Sequence, residues 1–174
     1  FRPRRSTTDQ ALALREVLLR RHRGNVPTYL YFIDFKKAFD TVWHEGLWVR
    51  LRAAGVVGKA LRDVKSLYEK VCSRVRVGDR LTREVQSKQG VRQGCPLSPV
   101  LFNIFIDELS QRLQRAGYGV GVGGKVLHCL LYADDVVVLA ESPEELQRLI
   151  DVVDRYCCDW RMSVNMGKTK VMVI

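Results

Sequence analysis

The sequence predicts an α+β fold in which an antiparallel sheet is covered by helices. Two segments, "SRVRVGDRLTREVQSK" and "KVLHCLLYADDVVVLAES", each place two strand-like runs around a turn, the pattern of a β-hairpin. Between and around them lie longer segments with helical spacing of apolar residues and with recognisable caps. Helices and mostly antiparallel strands mixed in this order indicate a sheet with helices on one face. The chain has 174 residues, 47% of them hydrophobic, enough for one domain with a real core.

Each element follows from local chemistry. "STTDQALALREVLLRRHR" opens on cap-type residues and sets Ala11, Leu14, Leu18 and Leu19 near one face, which predicts an amphipathic helix. "VPTYLYFIDF" is β-branched and aromatic, a strand entered through Pro27 and carrying Asp34 near its end. "HEGLWVRLRAAGV" and "GKALRDVKSLYEKV" are helices separated around Gly55 to Gly58. The first hairpin follows, turning at "GD". "PLSPVLFNIFIDELSQRLQRAG" is a long helix with its prolines at the start, where a missing N–H is harmless. The second hairpin has its aspartates at or beside the turn. "SPEELQRLIDVVDRYCCDW" is a helix capped by Ser142, with glutamates in its first turn. "MSVNMGKTKVMVI" is a turn running into a strand. There is neither an internal repeat nor a low-complexity linker.

Composition narrows the function classes. The net charge of +10 comes from arginines spread along the whole chain. Two readings fit that charge alone: a surface facing a polyanion, with nucleic acid the leading candidate, or a solvated arginine-rich surface. The five cysteines form no C-x-x-C pair and match no zinc spacing with His22, His44 or His128, so they are expected as reduced thiols of an intracellular protein. No apolar run approaches the ~20 residues of a membrane span, and no secretory leader opens the sequence. The first residue is Phe1 rather than Met and the chain closes on strand-like residues, so both ends are expected to be cut.

Three carboxylates are embedded in apolar sequence: Asp34 in "YLYFIDF", and Asp134 with Asp135 in "LLYADDVVVL". Burying a carboxylate costs several kcal/mol unless it is paired, hydrogen-bonded or metal-bound. A strand end and a hairpin turn of one sheet can bring the three together, and clustered carboxylates do not all stay ionised without a cation. Hard oxygen ligands at a partly open site select Mg²⁺ or Mn²⁺, which also bind substrate phosphates. Two such ions about 3.5–4 Å apart support in-line phosphoryl transfer. The plain alternative is that Asp134 and Asp135 only make the turn.

Four stretches occur in an order that decides between these readings. "FIDFKKAFDTV", "QGVRQGCPLSPVLFNIFIDEL", "YADD" and "MSVNMGKTKVM" resemble, in turn, the first catalytic motif, the nucleotide and template motif, the second catalytic motif and the lysine-bearing motif of non-LTR (LINE-type) retrotransposon reverse transcriptases. The resemblance runs from "FRPRRSTTDQ" to "NMGKTKVMVI". Group II intron and retron enzymes share this core, but "RSTTDQ" and "GVRQGCPLSP" look more LINE-like. The resemblance implies a right-hand polymerase of which residues 1–174 are the palm and part of the fingers. It implies an RNA-directed DNA polymerase using two Mg²⁺ ions, with Mn²⁺ a possible substitute. Its partners would be an RNA template, a DNA primer and deoxynucleoside triphosphates, with no membrane. The remaining fingers, the thumb and other domains would belong to a parent polyprotein acting in the nucleus. Without them the fragment alone is not expected to be a competent polymerase.

Residue by residue, the resemblance implies that Asp34, Asp134 and Asp135 form the metal site, Asp34 and Asp134 as direct ligands and Asp135 in support. It implies that the Phe39 ring lies beneath the incoming sugar and excludes a 2′-hydroxyl; core packing is the alternative. The backbone N–H groups of Lys37 and Ala38 would face the triphosphate. Gln93 and Gly94 would contact the nucleotide, and Ser98 and Pro99 the template. Arg92 is basic where phosphate or solvent is in reach. Lys168 would protonate or neutralise the leaving pyrophosphate, unless it is only a surface lysine. Asp40 is outside the metal set and is expected to cap or orient the helix after it. A non-catalytic remnant that keeps the fold and binds nucleic acid is the rival from another class.

Overall fold

The sheet is built around a strand that is apolar at every position. The computed structural model describes residues 6–69 and 72–174. "FRPRR" at the head of the resemblance, and Lys70 and Val71 at the expected end of one helix, lie outside the described residues. The fold divides into two units, one made of Phe1–Ala38 with Ile106–Ile174, the other of Phe39–Phe105.

In the first unit, α1 (Thr7–Arg23) begins with a capping box: Ser6 Oγ accepts from the Asp9 N–H while the Asp9 carboxylate accepts from the Ser6 N–H. The β1 strand (Tyr29–Ile33) follows. The second unit opens with a one-turn 3₁₀ helix, Ala38–Asp40, begun in the first. Then come α2 (His44–Ala53) and α3 (Gly58–Glu69). A ribbon is made of β2 (Cys72–Ser73), β3 (Arg76–Val77), β4 (Arg80–Leu81) and β5 (Val85–Gln86). In it β3 pairs with β4 across Gly78 and Asp79, the expected "GD" turn, and β2 pairs with β5. The long α4 (Ser98–Ala116) starts in the second unit and ends in the first. It leads to a short ribbon of β6 (Val120–Val122) and β7 (Lys125–Leu127). Then follow β8 (Cys129–Tyr132), β9 (Asp135–Ala140), α5 (Pro143–Trp160) and β10 (Lys170–Val173).

Strands β10, β1, β9 and β8 form one antiparallel sheet in that order. The register sets Leu30 opposite Leu139 and Phe32 opposite Val137. With Val17 of α1 and Val120 of the short ribbon, Leu30, Val137 and Leu139 form a buried cluster on one sheet face, against which Leu14, Leu18 and Phe32 pack. The buried centre of α1 is therefore Val17, with Leu14 and Leu18 beside it, rather than Leu19. Arg21 fixes this helix, donating to Thr28 Oγ1 at 2.8 Å, to the Pro27 carbonyl at 2.8 Å and to Glu141 at 2.7 Å.

The opposite face, with Tyr31, Ile33, Val136 and Val138, packs against α5. Burial, then Cys157 and Asp154 of α5, push the Tyr31 hydroxyl above its ordinary range. Helices thus cover both faces of the sheet, not one as expected. Ser142 caps α5 by accepting from the Glu145 N–H, and Pro143 stands just inside the helix.

The expected state of the cysteines can be checked directly. Burial, with Asp154 and Cys158 adding to it, pushes the Cys157 thiol up to about 12, whereas Cys158 and Cys72 are exposed. Alkylation of the native protein at mildly alkaline pH is expected to label Cys72 and Cys158 and to spare Cys157 until the chain unfolds. Because the folded pKa lies above the unfolded one, the contribution of Cys157 to stability is intact below the ordinary thiol range. It is lost as pH rises toward about 12. Equal labelling of Cys157 and Cys158 in the native state would contradict this packing.

Candidate active site

The hairpin β8–β9 turns in two residues: Tyr132 pairs with Asp135, leaving Ala133 and Asp134 as the loop. Ala133 is buried with φ 54°, where a two-residue hairpin loop favours glycine, so an alanine here is held against its preference. The neighbouring register pairs Ile33 with Val136. One residue further along the same ladder, Asp34 comes opposite Asp135. Both line a cavity of about 330 Å³ on the α1 side of the sheet, along with Lys168. Desolvation, then the Asp134 carboxylate and then that of Asp34, raise Asp135 above the usual carboxylate range. Of the three acids predicted from sequence, Asp135 therefore lies close enough to sense the charge of the other two. Asp34 and Asp135 face the cavity, and Asp134 stands at the turn.

Asp34 is held from the other side by the segment before β10. Its N–H donates to Thr169 Oγ1 at 3.1 Å, and its carbonyl accepts from the Asn165 N–H at 2.7 Å. Phe35 bridges Val164, and the Lys36 N–H donates to the Ser163 carbonyl at 2.8 Å. Within this turn the N–H groups of Lys168 and Thr169 both donate to the Asn165 carbonyl. The turn brings Lys168, exposed, to the same cavity as the carboxylates. Thr169 and Asn165 were not singled out from sequence; their place between the lysine motif and the strand that pairs with β1 was the available signal.

Among the described residues no three Asp, Glu, His or Cys side chains stand in a ready metal-holding arrangement. The donor set still suits Mg²⁺, which commonly takes one or two carboxylates and completes its shell with water and substrate phosphate oxygens. Burial raises Asp135 most, and the neighbouring carboxylates add to it; that added repulsion is what a divalent cation would relieve.

Of the other predicted residues, all but Lys37 and Ala38 lie in the second unit. Phe39, Arg92, Gln93, Gly94, Ser98 and Pro99 line one cavity of about 490 Å³. The Phe39 ring is half-buried and stacks on Phe102, centroids 4.2 Å apart and planes 20° apart. Ser98 starts α4 and is buried, its hydroxyl donating to the Arg92 carbonyl at 2.6 Å. That bond closes the loop carrying Gln93 and Gly94, whose φ is 78°. Lys37, with φ 47°, and buried Ala38 form the entry to the one-turn helix. Asp40 does not cap α2: its N-cap is Trp43, with no side-chain cap bond. The Asp40 carboxylate instead accepts from Gln93 Nε2 at 3.0 Å.

The loop of Gln93 is laced to the segment of Phe39. The Val91 N–H donates to the Phe39 carbonyl and the Gly90 N–H to the Val42 carbonyl, each at 2.8 Å, while Trp43 bridges Gln89. At Gly90, with φ 85°, a Cβ would fall 2.7 Å from the Asp40 carbonyl oxygen. Gly90→Ala is therefore expected to destabilise the protein by about 2–3 kcal/mol, the sum of left-handed strain and a backbone clash. Denaturant unfolding measures this, and a loss under about 0.5 kcal/mol would mean that the two segments are not laced this closely.

The model of the family described as reverse transcriptase (RNA-dependent DNA polymerase) matches residues 1–173. The Pol polyprotein of the type-2 retrotransposable element R2DM from Drosophila melanogaster is 32% identical over 151 residues, covering 87% of this chain and 14% of that protein. A type-1 element R2 polyprotein from Popillia japonica is 33% identical over 155 residues, 87% of this chain and 25% of that one. The RNA-directed DNA polymerase from the mobile element jockey of Drosophila funebris is 29% identical, over 79% of this chain and 15% of that protein. The chain thus spans a quarter or less of the length of these relatives. Among solved structures, the telomerase of Candida albicans, in complex with a fragment of telomeric RNA, superposes with a TM-score of 0.75 at 14% identity, over 97% of this chain and 30% of that one. Apo telomerase from Candida tropicalis gives 0.72 at 18%, over 97% and 35%. At such identities the likeness is one of fold.

Proposed function

Since the chain belongs to the reverse transcriptase (RNA-dependent DNA polymerase) family, we propose that it is the RNA-directed DNA polymerase core of a non-LTR retrotransposon, the palm and part of the fingers of a larger polyprotein. It adds deoxynucleotides to a primer 3′-OH by two-metal-ion transfer. The observation that carries this reading is the meeting of Asp34 and Asp135 at one cavity from sequence positions about a hundred residues apart, with Asp134 beside Asp135 and Lys168 lining the same cavity.

Asp34, Asp134 and Asp135 would hold the divalent ions. Bound there, the ions would activate the primer hydroxyl and neutralise charge developing on the phosphates. The chain's own residues orient the reactants. Gln93, steadied by Asp40, and the exposed backbone at Gly94 meet the nucleotide, while Ser98 and Pro99 shape the wall on the template side. The Lys37 and Ala38 amides face the triphosphate. As the primer oxygen bonds to the α-phosphorus, the bond to pyrophosphate breaks, and Lys168 supplies a proton or a positive charge to the departing oxygen. No covalent enzyme intermediate is needed.

The +10 charge suits a duplex held through its phosphates, and an RNA–DNA hybrid is readable by shape and 2′-OH. No described helix is long and apolar enough to cross a membrane. The test is primer extension on matched RNA and DNA templates, with Mg²⁺, with Mn²⁺ and with chelator, by this chain and by a form extended at both ends. Extension on RNA that needs the divalent ion supports the reading. Tight binding of primer–template with no extension by either form, under any metal, would favour a non-catalytic remnant.

A further inference from the structure

A cationic groove lies away from the carboxylates. Between the end of α4 and α5 is a groove of about 540 Å³, lined by Arg112, Arg115, Tyr118, Arg148 and Arg155. It belongs to the α5 side of the sheet, whereas the carboxylate cavity belongs to the α1 side. Two ties close its ends and show that the helices run antiparallel here. At one end Arg112 donates to Asp159 at 2.6 Å and also to Glu108. At the other, the Arg148 guanidinium lies 5.3 Å from the Tyr118 ring centroid and donates to its hydroxyl.

Arg115 and Arg155 fall between the ties, one on each helix. Among the described residues Arg115 donates to the Gln111 side chain, and Arg155 Nε to the Asp151 carbonyl. Among the described residues neither they nor Arg148 has a carboxylate partner, while Arg112 is neutralised. Like charges gathered around one concavity repel unless an anion joins them. The guanidinium fork fits phosphate oxygens bidentately, and Arg and Tyr planes stack on unpaired bases.

We propose that this groove binds the phosphodiester backbone of a single-stranded nucleic acid, held by Arg115, Arg148 and Arg155 with Tyr118 as a stacking surface. The site is separate from the polymerising one, and its test does not depend on catalysis. Fluorescence anisotropy would follow binding of 20-nucleotide RNA and DNA single strands of one sequence across a KCl series, for the wild type, for Arg115→Gln/Arg148→Gln/Arg155→Gln and for the matching triple Lys variant. Each phosphate contact contributes about 0.7 to the slope of log affinity against log salt for single strands. The Gln variant is expected to lose about 2 from that slope. The wild type then loses roughly 16-fold more affinity than the variant over a four-fold rise in salt. The Lys variant, equal in charge, keeps the slope. The strand whose slope falls, RNA or DNA or both, identifies the ligand.

An unchanged slope in the Gln variant for both strands overturns the proposal. So does an equal loss in the Gln and Lys variants, which would trace the effect to disturbed packing of α4 on α5. If the Gln variant instead loses only a poly-glutamate peptide, the groove is a protein-docking site and the proposal also fails. Asp34→Asn, run alongside, is expected to keep the wild-type slope, so a failure of the polymerase reading remains distinct from a failure of this one.

Discussion

Asp34→Asn and Asp134→Asn are each expected to lower the rate of nucleotide addition by about 10³-fold or more. Losing a metal-holding carboxylate removes several kcal/mol of transition-state stabilisation, and every ~1.4 kcal/mol is a factor of ten. The same substitutions should leave the thermal midpoint unchanged or raise it in the absence of divalent ions. They take one charge from beside Asp135, which burial raises first and the Asp134 and Asp34 carboxylates raise further. Asp135→Asn, in the supporting position, tests the division of labour. If its loss equals that of Asp34→Asn while Asp134→Asn is mild, then the pair facing the cavity, rather than Asp34 with the turn residue, holds the ions. Single-nucleotide incorporation with a calorimetric melt on each variant measures both effects. Near-wild-type rates in both Asp34→Asn and Asp134→Asn would end the two-metal reading.

Phe39→Val is expected to raise the use of ribonucleotides relative to deoxynucleotides by about 10- to 100-fold, the range of 1–3 kcal/mol that a filled or vacated apolar volume supplies in discrimination. The stack on Phe102 supports the ring along the wall shared with Gln93 and Gly94, so under the proposed role it would stand as a rigid body where a 2′-hydroxyl needs space. Removing the ring also forfeits about 1 kcal/mol of aromatic pairing. That loss alone would lower the activity with both sugars equally. The ratio of kcat/KM values for matched ribo- and deoxynucleotides isolates the steric effect. A ratio unmoved by Phe39→Val would make Phe39 core packing and nothing more.

Much of this was legible because the decisive signals are local. The caps at Ser6 and Ser142, the "GD" turn and the aspartates interrupting an apolar hairpin each announce a structure within a few residues. What escaped is of two kinds. The ribbon of β6 and β7 lies in a run where glycines at 119, 121, 123 and 124 leave little strand propensity to read, and its pairing is fixed by packing of Val120 into the core. The partnership of Asp40 with Gln93 joins residues far apart in sequence, and local spacing favoured a cap for a helix that begins only at His44. The covering of both sheet faces was in fact written in β1, "YLYFI", which is apolar at each position, as doubly covered strands are.

The unit that carries the carboxylates is assembled from two separated stretches, Phe1–Ala38 and Ile106–Ile174, with Phe39–Phe105 intervening. On a ribosome this order becomes a schedule. After β1 is made, about a hundred residues must follow before its partner β9 exists, some 5–20 s of synthesis at about 5–20 residues per second. Through that interval β1 is an apolar strand with no sheet to join, and Asp34 has neither its opposite carboxylate nor the turn of Asn165 and Thr169 that later anchors its backbone. The intervening unit can form in the meantime from contacts of shorter range. A ribosome that stops before Val136 therefore leaves behind a polypeptide able to fold the loop of Gln93 and Gly94 but without the β1–β9 pairing that brings Asp34 beside Asp135. The proposed reactive centre comes into being only as the last third of the chain is added.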